Sequence, residues 1–220
     1  MFVKVCGTTS EEDALLAVAM GADAVGFIFA PSPRQVAPTL VRDIVRRLPS
    51  EILTVGVFRD EAPERVTDIV NSTGLRAAQL HGRESVEQMM RVKERVPVVF
   101  KAFAAGDPAV RRAREYGAAA VLVDSPKPGS GQVFDWSLAE DVPGGLRLVL
   151  AGGLGPDNVA DAIATVHPWG VDACSALEAS PGHKDPRKVH AFIAAAKEAG
   201  EREAPDEPDG PAPFDWMDDE

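Results

Sequence analysis

The 220-residue sequence predicts an α/β protein: a single (β/α)8 TIM barrel followed by a disordered acidic C-terminal tail. Three observations carry the barrel. Eight short runs rich in β-branched residues recur with starts about 21 to 29 residues apart, the length of one βα unit. Several runs are almost continuously apolar, as strands covered on both faces must be. Between them lie amphipathic stretches with helix caps, and no Gly-x-Gly-x-x-Gly follows the first run, which argues against a doubly wound dinucleotide fold. The barrel is expected over residues 1–199 and the tail over residues 200–220.

Each element has a local reason. FVKVC (2–6) ends in Cys6 before Gly7, and Ser10 with Asp13 three residues on reads as the N-cap of SEEDALLAVAMG. DAVGFIF (23–29) runs into a proline-punctuated loop, APSPRQVAP, that holds Arg34. ILTVGVF (52–58) is followed by EAPERVTDIVNSTG, a helix stopped by its glycine. LRAAQLH (75–81) ends in His81, and VVFKAFA (98–104) precedes DPAVRRAREYG, a further helix candidate. AAVLVD (119–124) ends in Asp124. RLVLA (147–151) opens into Gly152 and Gly153, before a helix whose first turn is expected to hold Pro156 and Asp157. VDACS (171–175) closes the set with Asp172 and Ser175, and Ala176 follows.

Composition bounds the rest. With 45% hydrophobic and 26% charged residues the chain is ordinary globular material. Its longest apolar runs are about seven residues, too short for a span, and no charged-then-apolar leader is visible. Two cysteines make no disulfide framework, so a cytoplasmic setting is expected, and with four scattered histidines no dedicated metal cage is expected. The net charge of −11 is concentrated in residues 201–220, which hold nine acidic residues and one arginine, leaving −3 for the first 200 residues. Four prolines in those twenty residues add to the case for disorder. No nucleic-acid or membrane partner is expected, and a monomer or a homodimer fits equally.

In such barrels the chemistry sits at the carboxyl ends of the strands. Cys6 and Asp124 end strands one and six and face each other obliquely across the mouth, placed to act as general base and general acid on one small substrate. Lys4, two residues before Cys6 on the same inward face, would favour its thiolate. Position alone leaves Cys6 equally a small buried hydrophobe. Arg34 could clamp a carboxylate or be merely solvated, and His81 could be a site residue or a satisfied strand-end histidine. Gly152 and Gly153 expose backbone amides near a helix N-terminus, and Ser175 with the amide of Ala176 sits after the adjacent strand, the usual phosphate cradle of this fold. The remaining histidines (His167, His183, His190) are assigned nothing. Cys174 lies near Cys6 on the neighbouring strand; an oxidative link between them is conceivable, although filling a small inward position is the plainer role.

KVCG, GFIF followed by SPR, VGVF, QLHG, an aspartate followed by GSGQVFDW, LAGGL, and VDACSALE followed by PGHKD occur in that order. In these motifs, over about residues 2–198, the chain resembles the phosphoribosylanthranilate isomerases of tryptophan biosynthesis. The resemblance implies a cofactor-free Amadori rearrangement of a phosphorylated aminoaldose. It implies that Cys6 takes the sugar C2 proton, that Asp124 protonates the ring oxygen, that Arg34 faces the anthranilate and that Asp172 lies near the sugar hydroxyls. Gly152, Gly153, Ser175 and Ala176 then hold the phosphate. Two departures stand out: Cys174-Ser175-Ala176 where the family usually has Ser-Ser-Gly, and Pro128-Gly129 where it tends to have Gly-Gly. A histidine-pathway isomerase of similar chemistry is the runner-up, but it has an aspartate where Cys6 stands. A decayed barrel that only binds has Ala176 as its sole support.

Overall fold

Alternation along each strand sorts side chains between two cores. In β1 (Phe2–Val5), Val3 and Val5 pack outward against the helices, while Phe2 and Lys4 face the barrel axis. The computed structural model describes residues 1–126 and 135–203. After β1 come β2 (Ala24–Ile28), β3 (Leu53–Phe58), β4 (Ala77–Leu80), β5 (Val98–Ala104), β6 (Ala120–Asp124), β7 (Leu148–Leu150) and β8 (Gly170–Ala173). Each pairs in parallel with the next, and β8 pairs with β1, closing an eight-stranded barrel. All eight strands fall within the runs expected from the sequence except for Gly170, which extends β8 one residue earlier.

Six α-helices among the described residues wrap the barrel: α1 (Glu11–Ala19), α2 (Pro38–Val45), α3 (Pro63–Thr73), α4 (Val86–Lys93), α5 (Val159–Val166) and α6 (Pro186–Glu203). The Ser10 side chain accepts from the Asp13 amide at 3.1 Å, so α1 starts on the expected cap. Ser85 and Gln88 form a reciprocal capping box on α4. Phe2 stacks on Trp169 (4.5 Å) and meets Phe100 edge-on (6.3 Å), which plugs the end of the barrel opposite the strand carboxyl termini. Leu53, Val55, Leu122 and Val149 join this inner cluster, leaving the opposite mouth for polar groups.

Four local features differ from the sequence reading. Residues 108–116, expected as a helix of the ordinary kind, form a 3-10 helix; its buried residues, Val110 and Ala113, repeat every three positions, which suits the tighter winding. α5 begins at Val159 rather than at Pro156, because Asn158 folds back to accept from the Gly155 amide (2.8 Å) and donate to the Gly153 carbonyl (3.1 Å). α6 continues to Glu203, past the boundary expected at 199. After β8 a short antiparallel hairpin, β9 (Glu178–Ser180) and β10 (His183–Lys184), folds back over the mouth. Pro128 and Gly129 of the sixth loop, and the tail from 204 to 220, lie outside the described residues. No helix among the described residues is long and apolar enough to cross a membrane.

Candidate active site

Parallel pairing of β1 with β8 sets Lys4 beside Asp172 and Val5 beside Ala173, so Cys6 and Cys174 come next, side by side. The Cys6 amide donates to the Ala173 carbonyl at 2.9 Å, carrying the pairing one step beyond the strand. Both cysteines are free thiols. Gly7 has φ +72, and a Cβ there would stand 2.6 Å from Cys174 Sγ and 2.8 Å from Arg34 Cδ. A Cβ on Gly26 of β2 would stand 2.8 Å from Cys6 Sγ, so glycines flank the sulfur pair on two sides.

The electrostatics divide one negative charge among several acids. The S–H of Cys174 donates to Cys6 and holds that thiol well below its ordinary range; burial opposes this, and Lys4 and Lys184 reinforce it. Cys174, as the donor of that bond and itself buried, is pushed correspondingly up. Lys4 Nζ lies 3.0 Å from Asp172 Oδ1. Burial disfavours the Lys4 ammonium, yet Asp172 and Cys6 outweigh it and hold Lys4 above the usual lysine range. Burial pushes the Asp172 carboxyl up to about 7 even beside that ammonium, with Cys6 adding to the effect.

Across the mouth, Asp124 ends β6. The Ser125 amide donates to Oδ1 at 2.7 Å, and His81 Nε2 lies 3.2 Å from Oδ2. Gln79 of β4 reaches His81 in turn, Nε2 to Nδ1 at 2.7 Å. Cys6, Asp124, Asp172, His81, Gln79 and Arg34 all line one cavity of about 350 Å³, with Arg59, Cys174 and Pro181 at its walls. Cys6, Arg34, His81, Asp124 and Asp172 are thus gathered into a single chamber.

Arg34 departs from the solvated loop arginine that the sequence allowed. It is buried, and its Nε and Nη2 donate to Glu178 at 2.6 and 2.7 Å in a forked pair. Glu178 holds Arg34 above its ordinary range; Glu178 itself is held low by Arg34 and Lys184 against the burial that would raise it. Lys184 Nζ donates to the Cys6 carbonyl (2.6 Å), the Cys174 carbonyl (3.1 Å) and Glu178 (3.4 Å), tying the ends of β1 and β8 to the hairpin. Glu178 and Lys184 stand 144 and 178 residues from the partners Arg34 and Cys6. Glu178 ends the VDACSALE motif and Lys184 lies in PGHKD, yet neither motif points to these partners. Arg59, just after β3, is a second cation at the cavity that position in a strand-end loop could have flagged.

The glycine-rich end is built separately. Gly152 and Gly153 have φ +86 and +70, so both need glycine's freedom. Ser175 opens a 3-10 turn, Ser175–Leu177. Gly153 and Ala176 line a second cavity of about 440 Å³ together with Gly155, Asn158, Arg187 and Lys188, whereas Gly152 and Ser175 are not among the lining of either chamber. The Ala176 methyl packs over Gly155, where an added Cβ would be 3.1 Å away. Among the described residues no group of three or more His, Cys, Asp or Glu is placed to hold a metal ion.

A family model described as N-(5'phosphoribosyl)anthranilate (PRA) isomerase matches residues 3–195. A curated N-(5'-phosphoribosyl)anthranilate isomerase from Desulforudis audaxviator is 48% identical over 204 residues, spanning 90% of this chain and 98% of its own. The crystal structure of phosphoribosyl anthranilate isomerase from Thermus thermophilus superposes with a TM-score of 0.84 at 38% identity, covering 90% of this chain and 99% of its own. A phosphoribosyl anthranilate isomerase in complex with reduced 1-(o-carboxyphenylamino)-1-deoxyribulose 5-phosphate matches with a TM-score of 0.80 at 39% identity, over 90% and 99% of the two chains. Matched along nearly the whole barrel in sequence and in architecture, the chain belongs to the N-(5'-phosphoribosyl)anthranilate isomerase family.

Proposed function

We propose that this barrel catalyses the cofactor-free isomerisation of N-(5'-phosphoribosyl)anthranilate to 1-(2-carboxyphenylamino)-1-deoxyribulose 5-phosphate, in tryptophan biosynthesis, with Cys6 as general base and Asp124 as general acid. The observation that carries the reading is one cavity with a charge-stabilised thiol on one wall and, on another, a carboxyl held by the Ser125 amide beside His81. Asp124 gives its proton to the ring oxygen, the C1–O bond breaks, and the nitrogen lone pair forms the C1=N iminium. The Cys6 thiolate removes the C2 proton, and that electron pair becomes the C1=C2 bond of an enaminol. Protonation at C1 and loss of the hydroxyl proton at O2 complete the ketose, so no net proton is gained or lost. Asp172, close to both Lys4 and Cys6, is assigned to the sugar hydroxyls. Gly152, Gly153 and Ala176 are assigned to the phosphate through their backbone amides, Ser175 through its hydroxyl, and His81 to the substrate-facing wall. The deciding measurement is the disappearance of anthranilate fluorescence when the chain is coupled between the enzymes that make its substrate and use its product. A chain that bound the reduced ketose analogue and never turned over would defeat the assignment.

Arg34 is assigned to the anthranilate carboxylate. Its Nε–Nη2 edge is on Glu178, which leaves the edge formed by Nη1 and Nη2 for the ligand. Arg34→Ala is expected to raise KM roughly 10-fold or more, the size of one charge-assisted pair, while inhibition by inorganic phosphate stays unchanged. A shifted phosphate constant would place Arg34 at the other end of the substrate.

The Cys174 bond gives a pH prediction. Because that donor lowers the Cys6 pKa, removing it raises the pKa, so more of the base is protonated at a given pH. In Cys174→Ala the acidic limb of kcat/KM, which reports the free enzyme's base, moves to higher pH. Cys174→Ser keeps an O–H donor and stays closer to wild type. An unmoved limb in the alanine variant would mean that Lys4 and Lys184 alone set the thiolate.

A further inference from the structure

On β4, Ala77 and Gln79 face the barrel axis, and His81 follows just past the strand end. Gln79 is 1% exposed, and its amide makes one bond: Nε2 lies 2.7 Å from His81 Nδ1. A primary amide nitrogen has only hydrogens to offer, so Nδ1 must accept. An imidazole that accepts at Nδ1 is neutral and carries its proton on Nε2, the nitrogen 3.2 Å from Asp124 Oδ2. Asp124 Oδ1 is held independently by the Ser125 amide at 2.7 Å. One carboxyl oxygen is thus held by a backbone amide, and what the other meets at 3.2 Å depends on which nitrogen of His81 bears the proton.

With the amide reversed, Oε1 would take a proton from Nδ1, and Nε2 would face Asp124 either bare, accepting from the protonated carboxyl, or protonated in an imidazolium. The orientation present has a cost of its own: Gln79 Oε1 is buried and has no hydrogen-bond partner. A methionine of the same length would fill the space with no unmet acceptor, so packing does not account for the amide.

We propose that Gln79 is a positioning residue for the isomerisation: its amide selects the Nε2–H tautomer of His81, and that N–H fixes the Asp124 carboxyl for proton delivery to the ring oxygen. The proposal deepens the reading of Asp124 as the general acid and rests on it for its kinetic part. Its structural part stands alone, because the tautomer can be read with no substrate present.

Two variants and one spectrum test it. In wild type, long-range 1H–15N correlation spectra are expected to give His81 a protonated Nε2 and an unprotonated Nδ1. Gln79→Met should remove the selection, giving mixed tautomers or the Nδ1–H form, and should lower kcat about 10-fold, the smaller end of what proton-transfer geometry contributes, with KM changed less than about twofold. Gln79→Glu places an acceptor opposite Nδ1 and should protonate it, with a fall in kcat of similar size. A wild-type Nδ1–H tautomer overturns the proposal. So does a Gln79→Met enzyme that folds, mixes its tautomers and keeps wild-type kcat. If the wild-type chain never turns over, the general-acid reading fails, while the His81 spectrum still decides whether Gln79 sets the tautomer.

Discussion

Cys6→Ala is expected to lower kcat by at least ~10²-fold, the usual contribution of a positioned base, with binding of the reduced ketose analogue retained. The expectation rests on how much of the mouth is organised around this one sulfur. Cys174 donates to it, Lys4 lies beneath it, and Lys184 holds its backbone carbonyl at 2.6 Å. Gly26 and Gly7 give the two sulfurs their space, as the Cβ clashes at 2.8 and 2.6 Å require. Cys6→Ser is the sharper variant because it keeps size and hydrogen bonding. A serine hydroxyl is a far weaker acid than a thiol, so even two nearby ammonium groups leave it protonated near neutral pH. Serine should therefore be nearly as inactive as alanine. The melting temperature should move little in either variant, since each removes or exchanges one small side chain. Near-normal kcat in the serine variant would show that the base is another group, and Asp172, with its pKa pushed up to about 7, is the first to examine.

Period and punctuation were enough to read the barrel. Eight apolar runs on a regular spacing, with no glycine-rich dinucleotide turn after the first, favoured the barrel over a doubly wound sheet, and the alternation that put Lys4 on the face of Cys6 is realised through its ion pair with Asp172. The sequence could not reveal what depends on distant pairing. Glu178 is an unremarkable acid in ALE until the hairpin lays it along Arg34, and Lys184 is one basic residue among 23 until it is buried beneath Cys6. Arg34 was legible by its loop but not by its partner, so its burial was out of reach. Gln79 illustrates another limit. An inward glutamine on an apolar strand carries no motif beyond QLHG, and its importance lies in which atom of the amide meets which nitrogen of His81. The 3-10 turn at residues 108–116 was missed because caps and length there suit either helix, and only the three-residue spacing of its buried side chains separates them.

Asp124→Asn is expected to lower kcat by at least ~10²-fold as well, by a different step, and the isotope effect tells the two apart. Asp124 Oδ1 accepts from the Ser125 amide at 2.7 Å, and Oδ2 lies 3.2 Å from His81 Nε2. An asparagine has one oxygen and one amide nitrogen, so whichever way it turns, an N–H faces another N–H. The variant loses the acidic proton and also the planar anchoring that aims it. Ring opening should then become the slow step. With substrate deuterated at C2, the Asp124→Asn enzyme should show an isotope effect on kcat close to unity, since the C2 proton leaves only after the ring has opened. The residual activity of Cys6→Ala should show a full primary effect, because there proton abstraction is what has been slowed. Analogue binding should survive in both variants, as neither is assigned to the phosphate or the anthranilate. If Asp124→Asn kept a large C2 isotope effect while losing rate, Asp124 would belong with Cys6 in the proton abstraction, and the ring oxygen would need another donor in the cavity, with His81 at 3.2 Å from that carboxyl the nearest candidate.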